Sequence, residues 1–161
     1  MSSVQPKYRF PFPESVEKRI SKPSGRYAHE NFPQNAHAID FLLPLGTPIL
    51  ASRRGYVIVA KHESDKFISD SSEMEKMTLE ELIEFSAKNT NAVCIDHGDE
   101  TFAEYVHLDR QKVVDEGQEV EQGQIIGYCG MSGLTTAPHL HFNSFRIEDG
   151  KAISIPIEFS Y

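Results

Sequence analysis

Residues 124–145, QIIGYCGMSGLTTAPHLHFNSF, hold two apolar runs joined by a connection rich in Gly, Thr and Pro. In the second run His139 and His141 alternate with Leu140 and Phe142. Side chains two apart on an extended strand leave the same face. The apolar pair marks the core side, so both imidazoles are aimed into a cleft. Two imidazoles directed at one spot are costly unless a metal, a proton partner or solvent receives them.

Outward from this strand, AIDFLL (38–43), PILA (48–51), YVIVA (56–60), AVCIDH (92–97) and TFAEYVHL (101–108) repeat the pattern of short apolar runs bounded by Gly, Pro and Asp turns. A mainly β fold follows. HGDE (97–100) suits a hairpin turn, because Gly98 tolerates positive φ and Asp99 favours turns. A faint echo relates GTPILASRRGYV, from Gly46, to GQEVEQGQIIGYC, from Gly117. It predicts two related hairpins in one sandwich or barrel.

One segment departs from this pattern. Thr78 and Glu81 have the spacing of a capping box before LEELIEFSAK, whose Leu79, Leu82, Ile83 and Ala87 share a helical face. One helix is expected near residues 78–88, inside an acidic, Ser-rich insertion running from His62 to Asn91, read as a solvated excursion or a lid. The chain as a whole is expected to form one domain, with residues 1–24 partly extended.

Composition narrows the classes. Sixteen Lys and Arg against twenty-four Asp and Glu give a net charge of -8 without a basic, aromatic-laced stretch, which argues against nucleic acid as a partner. No run reaches the ~18 apolar residues of a membrane span, and MSSVQPKYRFPFPESVEKR has no signal-peptide core. A cytoplasmic location is the expectation, or the cell envelope if a leader has been removed. The two cysteines, Cys94 and Cys129, are too few for a disulfide scaffold.

Asp40 lies within the apolar run AIDFLL, where a carboxylate is expensive to bury without a cation or hydrogen-bond donors. His107 ends TFAEYVHL, and strand parity puts Tyr105 on its face, with Glu104 and Val106 on the other. Asp and His donors with an open coordination position suit a catalytic zinc, which brings the pKa of its bound water to about 7. The remaining histidines can then move protons or steady an oxyanion, as can Tyr27, Tyr105 or Tyr128. His62 and His97 read as solvated or structural.

These residues resemble the lysostaphin/LytM-type zinc endopeptidases, which cut peptidoglycan cross-bridges or stem peptides. The resemblance runs from Ala36 to Phe142, excluding the helical insertion. AIDFLLPLGTPILASRRGYV is similar to the family's first ligand strand and Gly-Thr-Pro turn. AVCIDHGDETFAEYVHL resembles the paired strands ending in Tyr-x-His-Leu. EGQEVEQGQIIGYCGMSGLTTAPHLHF resembles the Gly-rich approach and the His-x-His signature, the most specific match of the three. The resemblance implies an antiparallel two-layered fold of duplicated hybrid motifs and one zinc per chain. It further implies Asp40 and His141 as metal ligands and His107 and His139 as the assisting pair, with Gly133, Leu134 and Thr135 bordering a cleft for a peptide or peptidoglycan fragment.

The family's usual first ligand, a His four residues before the aspartate, is replaced by Ala36. His29, in GRYAHENFPQN, is the candidate third ligand, since His37 lies at an odd offset from Asp40 and strand parity sends the two to opposite faces. Two other functions remain open at this level. One is a catalytically inactive regulatory or binding domain, motivated by Ala36. The other is a histidine phosphocarrier, disfavoured because Asp40 would repel a phosphohistidine.

Overall fold

The computed structural model describes residues 6–17, 19–21 and 33–160. In chain order its elements are β1 (Tyr8–Arg9), β2 (Arg19–Ser21), a 3-10 turn (Pro33–Asn35), β3 (Ile39–Leu42), β4 (Pro48–Leu50), β5 (Gly55–Lys61) and β6 (Phe67–Ile68). Then come α1 (Ser71–Glu75), α2 (Leu79–Asn89), β7 (Ala92–Asp96), β8 (Thr101–Val106), β9 (Glu119–Val120), β10 (Ile125–Tyr128), β11 (Gly133–Leu134), β12 (His139–Glu148), β13 (Lys151–Ser154) and β14 (Phe159–Ser160). The main sheet has the order β2-β3-β12-β8-β7-β5-β9, with β13 also on β12, and its pairs are antiparallel.

A second layer is formed by the antiparallel pair β4–β10. Ile49, Ala51 and Ile126 from this layer meet Val57, Ile95, Tyr105, Leu140 and Phe142 from the main sheet in one buried cluster. The two echoed segments account for both layers' closure, because they pair with each other twice: β4 with β10 and β5 with β9. Gly46 and Gly117 both take positive φ, at 80° and 87°. Each begins its segment by donating to the other: the Gly46 N–H to Cys129 O at 2.9 Å and the Gly117 N–H to Val57 O at 2.7 Å. The chain's start also joins the core, since Phe12 packs edge-on to Phe41 and Tyr8 is buried.

The HGDE turn closes the β7–β8 hairpin, with Gly98 at φ 78°. The capping box at Thr78 and Glu81 is formed reciprocally and starts α2. The short α1, capped by Asp70, lay outside the sequence expectation.

The insertion is largely exposed, as a solvated excursion would be, yet it is anchored to the sheet at points. Helix α2 packs on β11 so closely that a Cβ at Gly133 would collide with the Thr90 hydroxyl. Fully buried Asn91 ties its end down, with Nδ2 donating to Ser64 O (2.8 Å) and Leu108 O (3.3 Å), and Oδ1 accepting from the Ser64 N–H (3.0 Å). No helix among the described residues is long and apolar enough to cross a membrane.

Candidate metal and catalytic site

Register alone gathers the central residues. In β3–β12–β8–β7, Asp40, His141, Val106 and Ala92 stand directly opposite one another across four strands. Side chains so paired share a face. Leu140 and Phe142, on the other face, are buried in the core as their alternation predicted. His141 Nδ1 lies 3.0 Å from Asp40 Oδ1, and His139 Nε2 lies 3.8 Å from the same oxygen. The rings of His107 and His139 are 4.6 Å apart, and those of His107 and His141 are 6.1 Å apart.

His107 reaches this face by breaking strand parity. Its φ of 69° is in the left-handed region, which costs a non-Gly residue about 1–3 kcal/mol and is held only where the surroundings enforce it. The His107 carbonyl accepts from Gly130 N–H at 3.0 Å, and Leu108 N–H donates to Asn91 O at 3.2 Å. Gly130 is required there, because a Cβ would press on the backbone of Leu108 and Asp109. The reversal corrects the parity expectation. Val106 and Glu104 line the same cavity as His107, whereas Tyr105 points into the core, where its hydroxyl accepts from the Ser52 N–H at 2.7 Å. Tyr105 is therefore removed from the oxyanion candidates.

The hydrogen bonds fix two tautomers. His107 Nδ1 lies 2.7 Å from Ser132 O, and His139 Nδ1 lies 2.8 Å from Ala137 O. A carbonyl only accepts, so each Nδ1 carries a proton and, in the neutral ring, Nε2 presents the lone pair. Burial, reinforced by the neighbouring His139 and His141, pulls the His107 pKa down to about 3. The backbone carbonyl behind each ring orients it, as does the buried Ser132, whose hydroxyl donates to Leu108 O at 2.8 Å.

Asp40 and His141 offer the oxygen and nitrogen donors that zinc takes, and a tetrahedral zinc spaces such atoms by about 3.3 Å. Their 3.0 Å separation fits this with a small opening. Neighbouring groups engage both residues as well. Among the described residues no group of three or more His, Cys, Asp and Glu is placed to hold a metal. His29 and Tyr27 lie outside the described residues. His37 is exposed ahead of β3, with its N–H on Ser154 Oγ at 2.9 Å. His97 is structural, with Nδ1 on Arg54 O at 2.7 Å and its ring edge-on to Tyr8.

Sequence reasoning passed over Asn143. It is 1% exposed, and its Nδ2 donates to Gln34 O (2.8 Å) and Glu104 Oε1 (3.1 Å) while its Oδ1 accepts from Ser154 Oγ (2.8 Å). It thereby pins the segment leading into β3. The signal was available in the period of two that carries His139 and His141 forward to position 143. Asn91 and Ser132 gave no such signal, because their partners are remote in sequence.

The profile of Peptidase family M23 matches residues 34–154. The chain belongs to this family. Peptidases of family M23 are hydrolases, and the relatives of this chain include peptidoglycan endopeptidases. The chain is 34% identical over 103 residues to the peptidoglycan DD-endopeptidase ShyC of Vibrio cholerae, covering 64% of this chain and 18% of ShyC. It is 31% identical over 143 residues to the DD-carboxypeptidase/endopeptidase Mpg of Neisseria meningitidis, covering 88% of this chain and 27% of Mpg. It therefore spans under a third of either relative. Among solved structures, a zinc-containing peptidase from Vibrio cholerae superposes with a TM-score of 0.61 at 22% identity, over 96% of this chain and 41% of that one. The catalytic domain of lysostaphin from Staphylococcus simulans superposes at 0.55 and 24% identity, over 85% and 88%. These likenesses establish the mainly β, antiparallel M23 fold.

Proposed function

We propose that this M23 chain is a zinc-dependent endopeptidase that cleaves peptide bonds of the peptidoglycan type. The observation that carries the reading is the convergence of Asp40, His141, His139 and the strained His107 on one face beside an open cavity.

In this reading Asp40 Oδ1 and His141 Nδ1 hold the metal, and His29 supplies the third protein ligand. Zinc, when bound, supplies Lewis acidity and an acidified water. His107 and His139 present their Nε2 atoms to the same space, so one accepts the proton of the attacking water. The ring that takes this proton returns it to the departing amine and, while it carries it, can hydrogen-bond the developing oxyanion. To ligate through Nδ1, His141 places its ring proton on Nε2.

The test is zinc stoichiometry together with cleavage of cross-linked peptidoglycan fragments and glycine-rich peptides, compared across wild type, His29→Ala and His37→Ala. A loss of zinc and cleavage confined to His29→Ala supports the ligand set. A loss confined to His37→Ala replaces His29 by His37. Metal-free wild-type protein that binds fragments without cutting them would establish the inactive binding domain instead.

A further inference from the structure

A cavity of about 360 Å³ opens directly beside His107 and His141. One wall belongs to the insertion: Leu79 and Ile83, one helical turn apart on α2, stay 48% and 46% exposed, while Leu82 beside them is buried. Val106 and Leu134 extend the apolar lining. Into this lining comes Glu104, the one Asp or Glu among the described lining residues, which include no Lys or Arg. Asn143 Nδ2 holds its Oε1 at 3.1 Å.

We propose that this cavity is a side-chain subsite of the cleft, selecting a substrate residue with an aliphatic stem that ends in an ammonium group. The proposal rests on the hydrolase reading for its place beside the scissile bond. The apolar walls bury the stem and Glu104 receives the cation. A purely aliphatic side chain would shield the Glu104 carboxylate from water without pairing it, and burying an unpaired charge is strongly unfavourable. An acidic side chain would meet a like charge. Glycine would leave the walls wet.

Spacing agrees with a neighbouring side chain. Glu104 pairs with Asn143, two residues along β12 from His141, which puts the two rows about 7 Å apart. A four-carbon stem bridges that interval. The acidic first turn of α2, Glu80 and Glu81, and the net charge of -8 add a favourable field for a cation.

The experiment is a methyl NMR titration of the full chain with capped Gly-X-Gly peptides, where X is Lys, norleucine, Gly or Glu. Cleavage of the same peptides by the zinc-loaded protein is followed alongside. The Lys peptide should shift the Leu79 and Ile83 methyls and bind about tenfold tighter than norleucine, the scale of one charge-assisted hydrogen bond. Glu104→Gln, which can still accept from Asn143, should collapse that ratio to about one. Ile83→Ser, at an exposed position, should weaken Lys and norleucine peptides alike.

Equal binding of the Lys and norleucine peptides overturns the subsite. So does a Lys preference that survives Glu104→Gln, or the absence of methyl shifts with every peptide. Lys-selective binding without cleavage keeps the subsite and removes the hydrolase reading. Cleavage indifferent to X does the reverse.

Discussion

The row Asp40–His141–Val106, through His141 and Val106, and the inserted wall carrying Leu79 and Ile83 border one cavity, yet they are built by different means. The row is set by sheet register, in which each backbone pair fixes a side-chain pair and a one-residue slip would scatter all of it. Among the described residues the wall's strand pairing to the rest of the chain is the short parallel pair β6–β11, and its helix is seated by point contacts at Gly133, Thr90, Asn91 and the Lys61 ammonium. The centre should therefore be sensitive in chemistry, and the wall in position.

The largest effect expected is at the centre. Asp40→Ala or His141→Ala should remove most bound zinc and all detectable hydrolysis, read by metal analysis and a cleavage assay. Stoichiometric zinc in both variants would break the ligand assignment. His107→Ala and His139→Ala should keep zinc and lose about 100-fold in kcat, the usual share of an acid/base group. Zinc loss in either would move that residue into the ligand set.

On the other side of the comparison, Asn91→Ala should cost about 3 kcal/mol, because several buried backbone groups lose their partner together. Denaturant unfolding measures it. Zinc content should hold, since Asn91 touches none of the proposed ligands, and a loss of zinc would show that the wall and the centre are one unit. Thr78→Ala removes only the cap of α2 and should cost about 1 kcal/mol.

The smallest effect lies outside both regions, in the β7–β8 turn. Burial pushes the Asp99 pKa up, but hydrogen bonds from Thr101 and Arg53 and the Arg53 charge outweigh it and bring it down to about 2. A depressed carboxylate pKa contributes stability above its unfolded value and loses it as pH falls through the folded one. Wild type should therefore lose a little stability between about pH 4 and 2 that Asp99→Asn does not. The difference is small, because the Asp99 side chain is 41% exposed.

Much of this arrangement is local in origin and legible in the residues. Alternation in HLHF put both imidazoles opposite the core, Thr78 and Glu81 announced α2, and the Gly-bounded echo anticipated hairpins that turn out to pair with each other. Each rests on a period or a cap spanning a few residues. The place of His107 does not. A single left-handed residue, held by contacts with Asn91, Gly130 and Ser132, reversed the expected face and sent Tyr105 to the core. The seat of α2 beside the cavity and the grip of Asn143 on Glu104 likewise depend on atoms brought together from separate strands. Sequence periodicity determines which side of a strand a residue occupies, whereas only tertiary packing decides where a strand breaks its period and what an insertion leans against, because those outcomes depend on contacts between residues far apart in the chain.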